Sequence, residues 1–282
     1  MQTIAIVFAL LVGFGFHVVR AESHTNVTYG EMEGEKLLLD IHAPKMPGSF
    51  PVAILIHGGG WGSGSKEGDI SPLLGSLSEA NFVWFSINYR LAPKHHWPAC
   101  FNDVQTAIRW VKAHASDYKG DPKRIALIGY SAGGHLACLA AVNAGEDTKV
   151  QAVVGLAAPT DMPADTARRG GLSESMQALL DRPATVDSAT SKLLEKISPI
   201  YEVKPGLPPF LLIHGTEDKS VQYVQSQNFL KVLKERRVPC ELITVKGAPH
   251  RLAEWEKYDL TYRDQMISWL RTTLGSARKS DD

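Results

Sequence analysis

The sequence predicts an α/β fold in which a mostly parallel β-sheet is covered by helices on both faces. Short apolar runs rich in β-branched residues alternate along the chain with segments whose apolar residues recur at helical spacing. Strands separated by single helices form βαβ units, and such units build parallel sheets. A parallel sheet buries both faces of its strands, which explains why a run such as residues 52–56 (VAILI) is apolar throughout.

Each element follows from its local pattern. Residues 36–42 alternate weakly between polar and apolar side chains, which predicts an early edge strand. The later predicted strands are the β-rich apolar runs at 52–56, 82–88, 124–130, 150–156, 210–214 and 241–245. The predicted helices, where apolar or small residues recur at helical spacing, are 72–80, 103–114, 131–142, 221–236 and 258–274. Residues 160–209 are polar with little β signal, so we expect short helices in a cap-like insertion over the carboxyl edge of the sheet, where open α/β sheets bind ligands.

Composition excludes several classes of protein. Among the 282 residues, 30 Lys plus Arg balance 30 Asp plus Glu, and no basic stripe indicates nucleic-acid binding. A hydrophobic fraction of 44% and a charged fraction of 21% exclude disordered, collagen-like and multi-span membrane chains. Three cysteines, Cys100, Cys138 and Cys240, are too few for a disulfide framework or a zinc site, and whether Cys100 pairs with Cys240 is left open.

Residues 4–16 are an unbroken run of thirteen apolar residues and glycines. A run of that length suits the core of a signal peptide and is shorter than the roughly 20 residues that span a bilayer. We therefore expect a signal peptide at 1–21, cleaved after Ala21, and a single domain at 22–282. The protein would then be secreted or periplasmic, without a stable membrane span. The alternative is an uncleaved anchor at the membrane interface.

Residues 129–133 (GYSAG) form a G-x-S-x-G motif between a predicted buried strand and a predicted helix of small residues. This context predicts a nucleophile elbow, a tight turn that presents Ser131. Side chains at Gly129 and Gly133 would clash in so tight a turn. The alternative is a serine that only caps the helix.

A serine hydroxyl is a weak nucleophile and needs an adjacent base. Of the ten histidines, His250 is the favoured base, because it follows the last predicted strand in a loop of turn-forming residues (KGAPH). A carboxylate must then hold the imidazole in the right tautomer. Asp218 is the favoured carboxylate, with Glu217 and Asp161 as alternatives.

Residues 57–61 (HGGGW) follow the predicted strand at 52–56. Bare glycines let a substrate oxyanion approach main-chain N–H groups, and each such donor stabilises the transition state by ~3 kcal/mol. We expect an oxyanion hole made by the N–H groups of Gly58, Gly59 and Ala132. The alternative, a phosphate-binding loop, would need a G-x-G-x-x-G or P-loop pattern that this segment lacks.

With these motifs, the chain resembles the α/β-hydrolase superfamily, in particular the hormone-sensitive-lipase-like and the feruloyl- and acetylxylan-esterase-like carboxylesterases with an HGGG-type oxyanion loop. The resemblance rests on HGGGW at 57–61, NYRLAP at 88–93, DPKRIALIGYSAGG at 121–134 and HGTEDKSV at 214–221. It implies an eight-stranded sheet, and it places the family's nucleophile, acid and base on Ser131, Asp218 and His250.

The resemblance implies a secreted serine carboxylesterase that acts on short-acyl or aromatic esters, such as acetyl or feruloyl groups on plant polysaccharide. Trp61, Trp97, Tyr130 and Tyr201 are candidates to line a pocket for a sugar or phenolic ring. The expected partner is a small-molecule or polysaccharide-borne ester, no cofactor or metal is expected, and the oligomeric state is left open. Two alternatives are a serine peptidase or amidase of the same fold and a non-catalytic binding protein with a hydrolase fold.

Overall fold

A computed structural model describes residues 22–275, so the predicted signal peptide at 1–21 lies outside the described residues. Within that range, eight strands form one sheet. The strands are β1 (Glu22–Met32), β2 (Glu35–Ala43), β3 (Phe50–Ile56), β4 (Val83–Ile87), β5 (Gly120–Tyr130), β6 (Ala152–Leu156), β7 (Phe210–Gly215) and β8 (Cys240–Val245). The α-helices are α1 (Leu74–Glu79), α2 (Ala99–His114), α3 (Ala132–Val142), α4 (Met162–Arg169), α5 (Glu174–Leu180), α6 (Ser188–Lys196), α7 (Val224–Glu235) and α8 (Tyr262–Leu274).

The sheet is mostly parallel, as predicted. Its strand order is β1-β2-β4-β3-β5-β6-β7-β8, in which β2 runs antiparallel to both of its neighbours and every later pair is parallel. The prediction for residues 36–42 is wrong in one respect. They form the interior strand β2 and not the edge, because β1 pairs along the outer side of β2.

Helices cover both faces of the sheet, and alternate side chains of each strand enter opposite cores. In β3, Val52, Ile54 and Ile56 belong to the core that also includes apolar side chains of α2, α3 and α7. Ala53 and Leu55 belong to the core shared with α1 and α8. All five side chains are fully buried. Burying a large aliphatic side chain contributes about 1.5–3 kcal/mol, so burial on two faces explains the uniformly apolar run.

Residues 160–209 connect β6 to β7 and contain α4, α5, α6 and a short 3₁₀ turn at Pro199–Glu202. The side chains of Asp161, Ser173 and Asp187 accept backbone N–H bonds in the first turns of the three helices, which stabilises their N-termini. Buried apolar side chains of this segment, including Leu179, Leu194 and Ile197, join the main core. The segment is therefore an ordered cap held by the same core as the sheet, and it is called the cap below.

Candidate active site

Ser131 lies in a strained turn between β5 and α3. Its φ of 53° and ψ of −120° lie in a region that non-glycine residues rarely adopt, which the sharp strand-to-helix turn requires. Its N–H donates to Leu156 O at 2.9 Å, which fixes the turn against β6. A Cβ at Gly129 would lie 2.1 Å from Gly133 O, and a Cβ at Gly133 would lie 2.1 Å from Ile56 O. Only glycine fits at these two positions, as the motif predicts.

Three loops at the carboxyl ends of β5, β7 and β8 bring the predicted triad together. His250 Nε2 lies 3.0 Å from Ser131 Oγ, and His250 Nδ1 lies 2.6 Å from Asp218 Oδ2. A carboxylate oxygen only accepts hydrogen bonds, so Nδ1 carries the proton and Nε2 is left to accept from the serine hydroxyl. The geometry matches that required for the transfer of a serine proton to an imidazole.

Asp218 is buried and its carboxylate is saturated with donors. Oδ1 accepts the N–H groups of Ser220 and Val221, both at 2.9 Å. Burial raises the pKa of Asp218, but hydrogen bonds from His214 and His250 outweigh burial and lower its pKa to about 2. The carboxylate therefore stays ionised at neutral pH and can stabilise a positively charged His250.

His214 is a second histidine on the same carboxylate, a contact that the motifs do not predict. Its Nε2–H donates to Val221 O at 2.9 Å and to Asp218 Oδ2 at 3.2 Å, while its Nδ1 accepts from Ser226 Oγ at 2.8 Å. The ring is fully buried. Its position four residues before Asp218, in the HGTED segment, is the only signal for this contact in the sequence.

The two alternative carboxylates lie elsewhere. Glu217 is exposed and forms an ion pair with Lys219 at 3.0 Å. Asp161 accepts the N–H of Ala164 at 3.0 Å and so caps α4. Neither contacts His250, which leaves Asp218 as the residue that completes the triad.

The predicted oxyanion hole needs one correction. The N–H of Gly58 donates to Asp69 Oδ1 at 3.0 Å, so this amide is already used and the structure does not support its assignment as an oxyanion donor. Gly59, Gly60 and Ala132 line the cavity beside Ser131. Among residues 22–275, no acceptor engages the N–H groups of Gly59 or Gly60, so Gly60 replaces Gly58 as a candidate donor.

A cavity of about 520 Å³ opens over Ser131 between the sheet and the cap. Its apolar lining includes Trp61, Tyr130, Pro159, Met162, Met176 and Val221, and its polar lining includes Asp69, Asp165, Arg169, Ser173, Ser175, Lys219 and Ser220. Arg169 of α4 donates to Ser220 O at 2.6 Å, which ties the cap to the loop that carries Asp218.

Of the four predicted aromatic residues, only Trp61 and Tyr130 line this cavity. The prediction for Trp97 is wrong, because its ring packs outside the cavity against Phe101, with centroids 5.5 Å apart, and its backbone N–H donates to Leu179 O. Tyr201 also lies outside, half exposed, with its hydroxyl 3.4 Å from Asp161 Oδ1.

His135 supports the wall of the cavity without entering it. Trp61 Nε1–H donates to His135 Nδ1 at 3.1 Å, and His135 Nε2–H donates to Ile197 O at 2.6 Å. Complete burial lowers the pKa of His135 to about 4, so the ring is neutral and can both accept and donate. His135 therefore links the oxyanion loop to the cap.

Three further features of residues 22–275 bear on the site and its surroundings. This range contains no group of three or more His, Cys, Asp or Glu side chains arranged to hold a metal ion. Its helices are all too short or too polar to cross a membrane. Cys100, Cys138 and Cys240 are free thiols in this structure.

Comparisons with known proteins show which proteins the chain is similar to. The chain is 36% identical over 238 residues to "Esterase LipQ" of Mycobacterium tuberculosis, an alignment that covers 78% of this chain and 55% of that protein. The chain spans about half the length of the curated relatives it matches first, between 51% and 58%.

Solved structures share the fold over nearly the whole chain. "Truncated form of carbohydrate esterase from gut microbiota" superposes with a TM-score of 0.74 and 27% identity, over 92% of this chain and 98% of that one. "Bifunctional GH43-CE" of Bacteroides eggerthii gives a TM-score of 0.77 and 28% identity, over 90% of this chain and 38% of that one.

These similarities confirm the α/β-hydrolase fold and the resemblance to carboxylesterases that the motifs indicate. The BD-FAE family model matches residues 39–233, a range that includes the oxyanion loop, the nucleophile elbow, the cap and Asp218. The chain belongs to the BD-FAE family.

Proposed function

We propose that the protein is a serine carboxylesterase that hydrolyses short-acyl or aromatic esters, including acetyl or feruloyl groups on plant polysaccharide. One observation carries the proposal. Ser131 Oγ, His250 and Asp218 form a continuous hydrogen-bonded chain beside unengaged backbone amides. The esterase names of the relatives and of the similar structures support the same conclusion.

The mechanism follows from the donors and acceptors in place. His250 Nε2 takes the proton of Ser131 as Oγ attacks the ester carbonyl, and Asp218 stabilises the resulting imidazolium. The same Nε2–H then protonates the departing alcohol oxygen. Water, activated by His250 in the same way, hydrolyses the acyl-enzyme and releases the acid.

The N–H groups of Gly59, Gly60 and Ala132 would stabilise the tetrahedral oxyanion. They belong to a glycine loop that is held by backbone hydrogen bonds from Gly62 and Ser63 to Gly59 O, and to the first residue of α3, whose N-terminal dipole also favours negative charge. Because these donors are held in place before substrate arrives, they need no reorganisation during the reaction. Removing one such donor typically costs about 10²–10³-fold in kcat.

The cavity supports a short acyl group. Met162 and Met176 of the cap and Trp61 line the cavity of about 520 Å³ beside Ser131, which offers an apolar surface to a small acyl group. We expect kcat/KM to be higher for p-nitrophenyl acetate and butyrate than for palmitate. A chain-length series that peaks beyond about ten carbons would contradict a short acyl site.

We also propose that the protein is exported, on the sequence of residues 1–21 alone. N-terminal sequencing of protein recovered from culture medium or periplasm tests this. A chain in either fraction that begins at Glu22 supports export with cleavage, and one that retains residues 1–21 contradicts cleavage. A chain found in neither fraction contradicts export.

Ser131→Ala is the direct test of the mechanism. We expect it to abolish hydrolysis of p-nitrophenyl acetate. The control is Ser268→Ala, which replaces an exposed serine of α8 and should retain wild-type activity. A fluorophosphonate should label the wild-type chain and not Ser131→Ala. Wild-type activity in Ser131→Ala would refute the assignment.

Absence of both labelling and activity in the wild type would favour a binding protein, and faster hydrolysis of aminoacyl anilides than of phenyl esters would favour an amidase.

A further inference from the structure

Asp69 is a charged residue in the cavity that the triad and the oxyanion hole do not use. Its Oδ1 accepts the N–H of Gly58 at 3.0 Å, which fixes the side chain. Among residues 22–275, no donor engages its other oxygen, Oδ2. The Arg and Lys side chains that line the cavity form ion pairs with other carboxylates: Arg169 with Asp165 at 2.7 Å and Lys219 with Glu217 at 3.0 Å. The carboxylate of Asp69 is thus fixed in the cavity without a cationic partner.

Asp69 and Tyr130 lie next to each other in the wall of the cavity. A Cβ at position 58 would lie 2.6 Å from Asp69 Oδ2 and 3.0 Å from Tyr130 Cδ1, so these two side chains lie together over Gly58. Burial raises the pKa of Tyr130, and the charge of Asp69 raises it further, as their proximity requires. Tyr130 donates to His250 O at 2.7 Å. The Tyr130 ring also lies beside the His250 imidazole, with ring centroids 5.3 Å apart. In the proposed mechanism His250 protonates the leaving oxygen, so the wall formed by Tyr130 and Asp69 would border the departing alcohol.

An unneutralised carboxylate beside an oxyanion hole disfavours the transition state, because it repels the developing negative charge. Oδ1 already holds the N–H of Gly58, and a contact between Oδ2 and substrate would offset this repulsion. A hydroxyl on the alcohol, near the ester, would donate to Oδ2 and form a charge-assisted hydrogen bond.

We propose that Asp69 forms an alcohol subsite, in which Oδ2 accepts a hydrogen bond from a hydroxyl next to the ester, so that the site selects esters of polyhydroxylated ring alcohols. The subsite depends on the proposed esterase function, and it would determine which alcohols the esterase accepts. Oδ1 stays with Gly58, so a single acceptor is presented. One acceptor suits one hydroxyl, whereas a quaternary ammonium group is bound best by aromatic faces.

Two acetates of similar ring size test the proposal. Monoacetylated methyl xyloside carries hydroxyls beside the ester, and cyclohexyl acetate has none. Asp69→Asn keeps an oxygen to accept from Gly58 N–H and removes the charge and the Oδ2 acceptor. We expect the ratio of kcat/KM, xyloside over cyclohexyl, to fall about tenfold in Asp69→Asn, the usual effect of losing a hydrogen bond to a charged group.

Glu217→Gln is the matched control, because it removes an exposed carboxylate that lies outside the cavity, and its ratio should equal that of the wild type. An unchanged ratio in Asp69→Asn, with both acetates still hydrolysed, overturns the subsite and leaves the esterase function intact. Acetylcholine hydrolysed faster than the xyloside, with its kcat/KM reduced most in Asp69→Asn, would show that the subsite binds a cation. A wild-type chain that hydrolyses no ester overturns both proposals.

Discussion

At the scale of single residues, the unusual feature of the site is that two histidines donate to one oxygen of Asp218. His214 is fully buried and held by Ser226 and Val221, so its ring cannot turn. His250 borders the cavity and contacts Ser131. The two rings therefore have different tasks. In the proposed mechanism His250 moves the proton, while His214 donates to the carboxylate and holds it in place.

We expect His214→Phe to lower kcat about tenfold and to move the acid limb of kcat/KM to higher pH. Without the His214 N–H, Asp218 directs more of its charge to His250, which then holds a proton more tightly. The measurement is a pH profile of p-nitrophenyl acetate hydrolysis between about pH 5 and 9.

His214→Gln is the informative companion, because its amide N–H can restore the bond to Asp218. A purely structural role for His214 would lower kcat without moving the acid limb, and that outcome would contradict a positioning role. Recovery of the wild-type limb in His214→Gln would support it.

At the scale of elements, the junction of β5, α3 and β3 permits no side chain at the elbow glycines. A Cβ at Gly133 would lie 2.1 Å from Ile56 O and 2.3 Å from His57 O, both of which are backbone atoms that cannot give way independently. We expect Gly133→Ala to destabilise the fold by at least about 2 kcal/mol and to abolish activity. Urea unfolding and esterase assays measure the two effects.

Gly75→Ala is the matched control for Gly133→Ala. It is an exposed residue of α1 whose added Cβ would meet no atom within 4 Å. Gly75→Ala should stabilise the protein by about 0.5–1 kcal/mol, because alanine restricts the unfolded chain and favours helix. Equal effects of the two exchanges would contradict the steric explanation of the elbow.

Complete burial on both faces makes some strands easy to predict from the sequence. Residues 52–56 and all of 124–130 except Arg124 are apolar or glycine because both faces of the sheet are covered, so their pattern alone identifies them. The edge strand β1 was missed because most of its residues are exposed and polar, and only pairing with β2 makes it a strand.

The site shows the same division. Ser131, Asp218 and His250 follow strands in motifs with fixed chemistry, so their sequence positions predict their meeting. Gly58 and Trp97 were misassigned because their roles depend on neighbours distant in sequence. Gly58 N–H is bound by Asp69, eleven residues away, and the backbone N–H of Trp97 donates to Leu179 O of the cap. Spacing along the chain carries no information about such contacts.

At the scale of the whole molecule, hydrogen bonds join the cap to the sheet domain close to the triad. Gln225 of α7 accepts from Thr160 N at 2.9 Å and from Asp161 N at 2.7 Å, which anchors the start of the cap. Arg169 binds Ser220 O at the loop of Asp218. The free energy of folding therefore depends in part on the same polar groups that build the site.

Asp218 makes this dependence measurable. Its pKa of about 2 in the folded protein lies below the ordinary value of 3.8, so its ionised form stabilises the fold above about pH 4, and this stability is lost as the pH falls through about 2. We expect the wild type to lose on the order of 2 kcal/mol more than Asp218→Asn between these limits. Urea unfolding at a series of pH values measures the difference. As a control, Ser131→Ala retains Asp218 and both histidines, so its stability should vary with pH as that of the wild type does. If the free energies of unfolding of the wild type and Asp218→Asn fell in parallel with pH, the fold would not be holding the carboxylate in its charged form.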